Sequence, residues 1–307
     1  MADKCKRAHS YCRDWIGRIL LVIGLLQTPA HATDLLLSTA GDTSTLQHFA
    51  TALAAARPDD QVRIVALNEM PPLEQIDSDT RMILFGQAAL AWRLNSPAGP
   101  PTVVLQVSKT LAHETFGERQ PANLSVLWQD PAPSRQLRLL KRLLPQVRRV
   151  GVLHDVHSEF LIDELRQAAG ALNLEIVAQK WSDTRDNQTL TRLLSASDVL
   201  LAVADDHLYN PLTAKTLLLT SYSQQHAVIG PSAGFVRAGS LATTYSDQSD
   251  WLATLNNLLN KPSDSWPKGT YSNTFKVLSN PQVARALGIE LPDNEELARQ
   301  LSKGETP

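Results

Sequence analysis

Three carboxylates, Asp155, Asp205 and Asp206, follow apolar runs in the second half of the chain, and three histidines, His154, His157 and His207, lie among them. A carboxylate at a strand end can pair with an ammonium group, and carboxylates grouped with imidazoles can hold zinc, nickel or copper. Hydroxyls, amides and small residues recur at similar places: Ser38 with Thr39, Gly86 with Gln87, Gln106 with Ser108, then Ser158, Asn210 and Ser232. Tyr209 and Phe235 can stack on a planar ligand. Each type also has a plain structural use, because Asp, Asn and Ser cap helices and close turns, and aromatics fill cores. His-x-x-His on a loop lacks the fixed geometry of a helical metal motif, so no metal is assigned and a metal or metal-chelate binder stands as an alternative.

Catalytic patterns are missing from the sequence. Ser38, Ser108 and Ser232 sit outside any Gly-x-Ser-x-Gly turn, and Gly41 and Gly86 stand apart from any Gly-x-Gly-x-x-Gly run. Paired aspartates alone are too common to indicate acid–base chemistry. The expectation is a binding protein and not an enzyme, with no catalytic residue and no cofactor.

The elements that must present these residues read as strands alternating with helices. Leu35-Leu36-Leu37, Val62 to Leu67, Met82 to Phe85 and Val103 to Leu105 read as strands. Between the first two, Thr43 or Ser44 can cap a helix whose Leu46, Phe49, Ala50 and Leu53 repeat at helical spacing before Pro58. The same rhythm restarts after a basic helix over 134–144, with strands at Arg149 to Leu153, Glu175 to Val177, Asp198 to Val203 and Ala227 to Gly230. Two α/β halves are implied, each a parallel sheet covered on both faces. Ligands of such sheets lie outside the carboxyl ends of the strands, where the polar residues above are found.

Bulk properties agree with two globular lobes. The 307 residues are 43% hydrophobic with a formal charge of -2, which leaves no basic footprint for nucleic acid. Lys4, Lys6, Arg7, Arg13 and Arg18 precede the apolar run Ile19 to Leu26, and Ala30-His31-Ala32 follows. That order predicts a cleavable secretory signal over residues 1–32, cut after Ala32. Cys5 and Cys12 lie upstream of the apolar run, so the processed chain contains no cysteine and has no lipid-anchor site. No stable membrane insertion is expected after cleavage.

Residues 134–292 resemble the substrate-binding proteins of ABC transporters, in the family that includes aromatic-amino-acid uptake components. The matching stretches are Arg148 to Leu153, Ser197 to Val203, Tyr209-Asn210-Pro211 with Thr213, Ile229 to Ala233 through Val236, Ala238 to Leu241, and Asn280 to Ile289 with Leu291-Pro292. Where relatives carry a Tyr-Asn-Pro or Tyr-Asp-Pro turn, this chain has His154-Asp155-Val156-His157. The resemblance implies a type I periplasmic-binding fold, two Rossmann-like lobes that close on a ligand by hinge bending. It implies hinges near 121–130 and 240–247, an N-terminal lobe over 33–125 with a returning segment at 246–262, a C-terminal lobe over 126–245, and a tail over 263–307 packed on the lobes. The partners implied are a small ligand, with an amino acid or similar zwitterion favoured, and an inner-membrane ABC permease; the location implied is the periplasm. A sensory or accessory module that feeds no permease is the rival from another class.

Overall fold

The computed structural model describes residues 33–96, 98–117 and 119–304. The expected signal and its cleavage site lie outside the described residues. The first lobe runs β1 (Asp34–Thr39), α1 (Thr43–Ala56), β2 (Gln61–Ile64), β3 (Arg81–Phe85), α2 (Gln87–Arg93), β4 (Thr102–Val107), α3 (Lys109–Phe116) and β5 (Leu124–Trp128). The second runs α4 (Pro133–Leu143), β6 (Arg149–His154), α5 (Leu161–Gly170), β7 (Glu175–Lys180), α6 (Asn187–Ala196), β8 (Val199–Leu201), α7 (Pro211–Ser223), β9 (Val228–Ile229), α8 (Ala233–Ala238) and β10 (Ala242–Tyr245). Then come α9 (Gln248–Leu259), β11 (Gly269–Tyr271), β12 (Lys276–Ser279), α10 (Pro281–Ala286) and α11 (Asn294–Ser302).

These strands form two six-stranded sheets, β2-β1-β3-β4-β5-β11 and β7-β6-β8-β9-β10-β12. Every pairing in the first is parallel, and in the second only β10 with β12 is antiparallel. Both orders reverse beside the first strand of the sheet, which opens a crevice at the carboxyl ends of the strands.

Central strands of such sheets are apolar on both faces because helices cover both. Ile83 and Val103 pack with Leu35, Leu37, Phe49 and Leu53 on one side of the first sheet, while Met82, Leu84, Val104 and Val126 pack on the other. The alternation is the pleat made visible. The expected amphipathic helix is α1, but its cap is Asp42, one residue earlier than Thr43; the Asp42 carboxylate accepts the Ser44 N–H at 2.8 Å. The carboxylate adds charge complementarity to the helix N-terminus that a hydroxyl lacks.

The chain passes between the sheets at 129–132, 246–247 and 272–275. After the second crossing α9 buries Leu255, Leu258 and Leu259 against the first lobe, whereas α11 buries Leu297 and Leu301 against the second. Residues 126–128 therefore belong to the first sheet, and the segment after 263 gives one strand to each sheet. Arg135 ties the third crossing down: its guanidinium donates to the Ser272 carbonyl at 2.9 Å and lies 3.9 Å from the Phe275 ring centroid. The Ser272 hydroxyl in turn meets the Asp250 carbonyl and Thr254 Oγ1 at 3.1 and 3.0 Å.

Candidate functional site

A cavity of about 560 Å³ opens between the lobes. The first lobe contributes Gln106 near the end of β4, Ser108 after it, and Gln129 and Asp130 after β5; the second contributes Asp205, Asp206 and Tyr209 after β8, and Ser232 after β9. Tyr245 ends β10, and Ser246 and Trp251 enter from the second crossing and the start of α9. All the strand-end positions are carboxyl ends, as parallel sheets require.

One wall of this cavity is acidic. Asp130 accepts the Lys109 backbone N–H at 2.7 Å through Oδ2, while its Oδ1 is buried with no hydrogen-bond partner. Burial pushes the Asp130 carboxyl up to about 7, against the pull of the Lys109 N–H and ammonium, and the nearby Asp206 charge adds to the rise. Asp205 is buried, and burial raises it too; the Ser158 hydroxyl that donates to its Oδ2 opposes the rise, and the Asp155 charge reinforces it. Among the described residues, no lysine or arginine lines the cavity. At the N-terminus of α3 the Ser108 hydroxyl accepts the Leu111 N–H at 3.1 Å and Asp130 takes the Lys109 N–H, so the protein's own oxygens satisfy two of that helix's free donors.

Gln106 has a left-handed backbone, with φ of 59°, at an irregularity in the register of β4 with β5. Such a conformation in a non-glycine residue is costly and is found where a side chain must be re-aimed. Gln106 is exposed and lines this cavity together with a smaller neighbouring one of about 110 Å³. Tyr209 is held by a hydrogen bond from its hydroxyl to the Leu153 carbonyl at 3.1 Å and by an edge-on contact with Phe235. Burial, and then the Asp205 charge, hold that phenol above its ordinary range.

Of the residues singled out in sequence, seven meet at this cavity or its small neighbour: Gln106, Ser108, Asp205, Asp206, Tyr209 and Ser232 line the larger, and Thr39 the smaller. The others do different work. Ser38 is wholly buried in β1, Gly86 precedes α2 with φ of 84°, and Gln87 is the exposed first residue of that helix. His154 is buried with its ring against the Asp155 carbonyl, 3.3 Å away. Asp155 closes a turn by accepting the His157 and Ser158 N–H groups, and Ser158 bridges it to Asp205. Asn210 caps α7 by accepting the Leu212 and Thr213 N–H groups at 2.9 and 3.3 Å. Asn210 and Phe235 line a separate groove of about 610 Å³ between α7 and α8.

Gln129, Asp130, Tyr245, Ser246 and Trp251 were not singled out in sequence. The signal for Gln129 and Asp130 was available, since they are the first two residues after the strand Leu124–Trp128, a carboxyl end like the others. Tyr245 ends β10 in the same way, while Ser246 and Trp251 come from the second crossing and the helix after it, whose positions depend on how the lobes sit together.

The lobes touch beside the cavity, mainly through α3. Thr110 Oγ1 donates to the Ala204 carbonyl at 2.7 Å, Lys109 pairs with Glu164, and His113 stacks on Phe160 with centroids 4.1 Å apart. Glu114 meets His157 Nδ1 at 3.1 Å and His207 Nε2 at 3.3 Å.

No protein-family model matches the chain, and no curated protein sequence does. Solved structures do. A substrate binding protein with adhesive properties from Clostridium difficile, in its ligand-free, open structure, matches with a TM-score of 0.63 at 19% identity over 86% of this chain and 97% of that one. An ABC domain from Streptococcus pneumonia in complex with L-Trp matches with a TM-score of 0.55 at 15% identity, over 85% of this chain and 96% of that one. A conserved domain protein from Vibrio cholerae matches with a TM-score of 0.54 at 15% identity, over 85% and 96%. With two mostly parallel sheets in the same strand order and crossing segments between them, this chain shares its fold with these structures, the type I periplasmic-binding fold.

Proposed function

We propose that the chain captures a small solute bearing an ammonium group, an amino acid or similar zwitterion, between its lobes, without chemical conversion. One observation carries the reading: Asp130 Oδ1 is a buried carboxylate oxygen with no partner in a cavity that also holds Asp205 and Asp206 and, among the described residues, no cationic side chain. A buried carboxylate held partly protonated regains its charge when a ligand cation reaches it, so binding and desolvation favour the same group. Gln106, Gln129, Ser232 and Ser246 supply neutral donors for the other end of such a ligand, and Trp251 and Tyr245 supply flat apolar surface. A net anion would meet three carboxylates and no counter-charge.

The proposed setting is the periplasm, reached through the signal read in residues 1–32. The proposed partner is an inner-membrane ABC permease that receives the closed form and uses the ATP. No helix among the described residues is long and apolar enough to cross a membrane. The fold is also the scaffold of binding modules with other outputs, so the partner needs its own test.

Isothermal titration of the purified chain against amino acids, small amines, sugars and small carboxylates tests the ligand. An amine-bearing hit whose affinity falls about thirtyfold or more in Asp130→Asn, the equivalent of roughly 2 kcal/mol, is the expected outcome. Hits confined to sugars or anions, or an amine hit indifferent to Asp130→Asn, would sink the reading. Co-purification from membranes with a sensor or outer-membrane receptor, and not with a permease, would retain the ligand and replace the partner.

A further inference from the structure

Asp155-Val156-His157 follows β6 and Asp205-Asp206-His207 follows β8, two strands paired side by side. The two turns are built alike. Asp155 Oδ1 accepts the His157 N–H at 2.7 Å, and Asp205 Oδ1 accepts the His207 N–H at 2.9 Å; each also accepts the next residue's N–H. Because the strands are parallel neighbours and the turns match, the two imidazoles come out together, stacked with centroids 4.3 Å apart and planes 17° off parallel. Glu114 reaches them from α3 of the other lobe.

The geometry points to a divalent transition-metal site formed by His157, His207 and Glu114, outside the solute cavity and shared between the lobes. One nitrogen of each ring and one carboxylate oxygen lie within 4.8 Å of one another. A tetrahedral zinc ion holds nitrogen and oxygen ligands at about 2.0–2.2 Å, which sets neighbouring ligand atoms about 3.3–3.6 Å apart. Of the oxygen-to-nitrogen separations, 3.3 Å lies at the near edge of that span and 3.1 Å about 0.2 Å below it, a short adjustment for exposed side chains. Two imidazoles and one carboxylate suit zinc, cobalt, nickel or copper over magnesium or calcium, and leave a fourth position for water. The side chains are 27–54% exposed, so an ion can enter without unfolding anything, and the rings have room to turn out of their near-parallel stack to aim both nitrogens at it. Asp206 beside His207 adds negative charge to the approach.

The consequence is a clasp. Two ligands belong to one lobe and the third to the other, so the full set exists only when the lobes are together, and the metal favours that arrangement by its extra affinity for it. If the solute also favours closure, a point that rests on the function proposed above, then metal and solute must strengthen each other's binding by equal factors.

The test is titration of the tag-free chain with zinc by calorimetry and with cobalt by visible absorption, both without solute, with small-angle scattering as the readout of closure. One equivalent should bind, with a tetrahedral cobalt spectrum, and His157→Ala and His207→Ala should each weaken binding about tenfold or more. Glu114→Gln should weaken it less and abolish the compaction that zinc induces. Metal-free melting temperatures of all three variants should stay close to that of the wild-type chain, because the side chains are half-exposed. Absence of stoichiometric binding, or binding that survives both histidine replacements, overturns the site. Compaction that persists in Glu114→Gln overturns the clasp. Failure of the solute titrations leaves these readouts intact, so the two proposals fail separately.

Discussion

Asp130 combines features that structural carboxylates avoid. It is buried, its Oδ1 is unpartnered, and its carboxyl is raised to about 7 by that burial. An unfolded aspartate titrates near 3.8. Between those two values the folded chain holds a proton that the unfolded chain has lost, so stability falls as pH rises from about 4 to about 7 and stays lowered above that. Asp130→Asn removes the penalty and keeps an acceptor for the Lys109 N–H. The variant should melt higher than the parent at pH 8 by at least about 2–4 °C, roughly 1 kcal/mol in a chain of this size, with a smaller advantage at pH 5. Thermal melts of both proteins without solute across that range check it. Equal melting at every pH would mean that the carboxylate is not strained by burial. A residue that weakens the fold and strengthens binding is the signature of a site retained for function.

At the scale of elements, much could be read in advance and the reason is periodicity. Runs such as Leu35-Leu36-Leu37 and Met82 to Phe85 lie in strands because they are buried on both faces, and residues after them fall at the cleft because parallel strands all point one way. That logic found Asp205, Asp206 and Ser232. It could not distinguish lining residues from caps, since Asn210 and Ser232 occupy the same kind of position and both cap helices. The distinction belongs to packing: Ser232 lines both the cavity between the lobes and the groove behind it, and Asn210 only the groove. Asn210→Ala should therefore cost about 0.5–2 kcal/mol of stability and leave solute affinity unchanged, as measured by denaturant melts and calorimetry. A large affinity loss would return Asn210 to the ligand. Close approach gives a second case. A methyl group at Gly269 would overlap the Trp128 indole across the β11–β5 pair, so Gly269→Ala should destabilise by roughly 1–3 kcal/mol with a change in tryptophan fluorescence.

For the molecule as a whole, the cavity lies between two lobes that three crossing segments join. This is why Trp251 escapes a reading of one strand at a time: it enters on the returning helix α9, far in sequence from Gln106 and Asp130 at the site, whereas Tyr245 ends β10 at a carboxyl end like the others. Glu114 is hidden for the same reason, since nothing in α3 announces the histidines of the other lobe. The lobes meet here through side chains of α3 and their partners on the second lobe, contacts that a hinged binder of the kind proposed can make and break. Thr110 supplies one of them, a hydroxyl donated to the Ala204 carbonyl at 2.7 Å from a residue that is 3% exposed. Thr110→Val keeps the shape and deletes that bond, leaving the carbonyl to be hydrated in the open form. Losing about 1 kcal/mol from the closed state lowers the closed fraction, and apparent solute affinity should fall by roughly fivefold through that fraction alone. Slower closure is not required; faster opening is, so stopped-flow release should account for most of the change. An unaltered affinity with an unaltered release rate would mean that Thr110 merely sits beside the interface and does not bias the balance between open and closed forms.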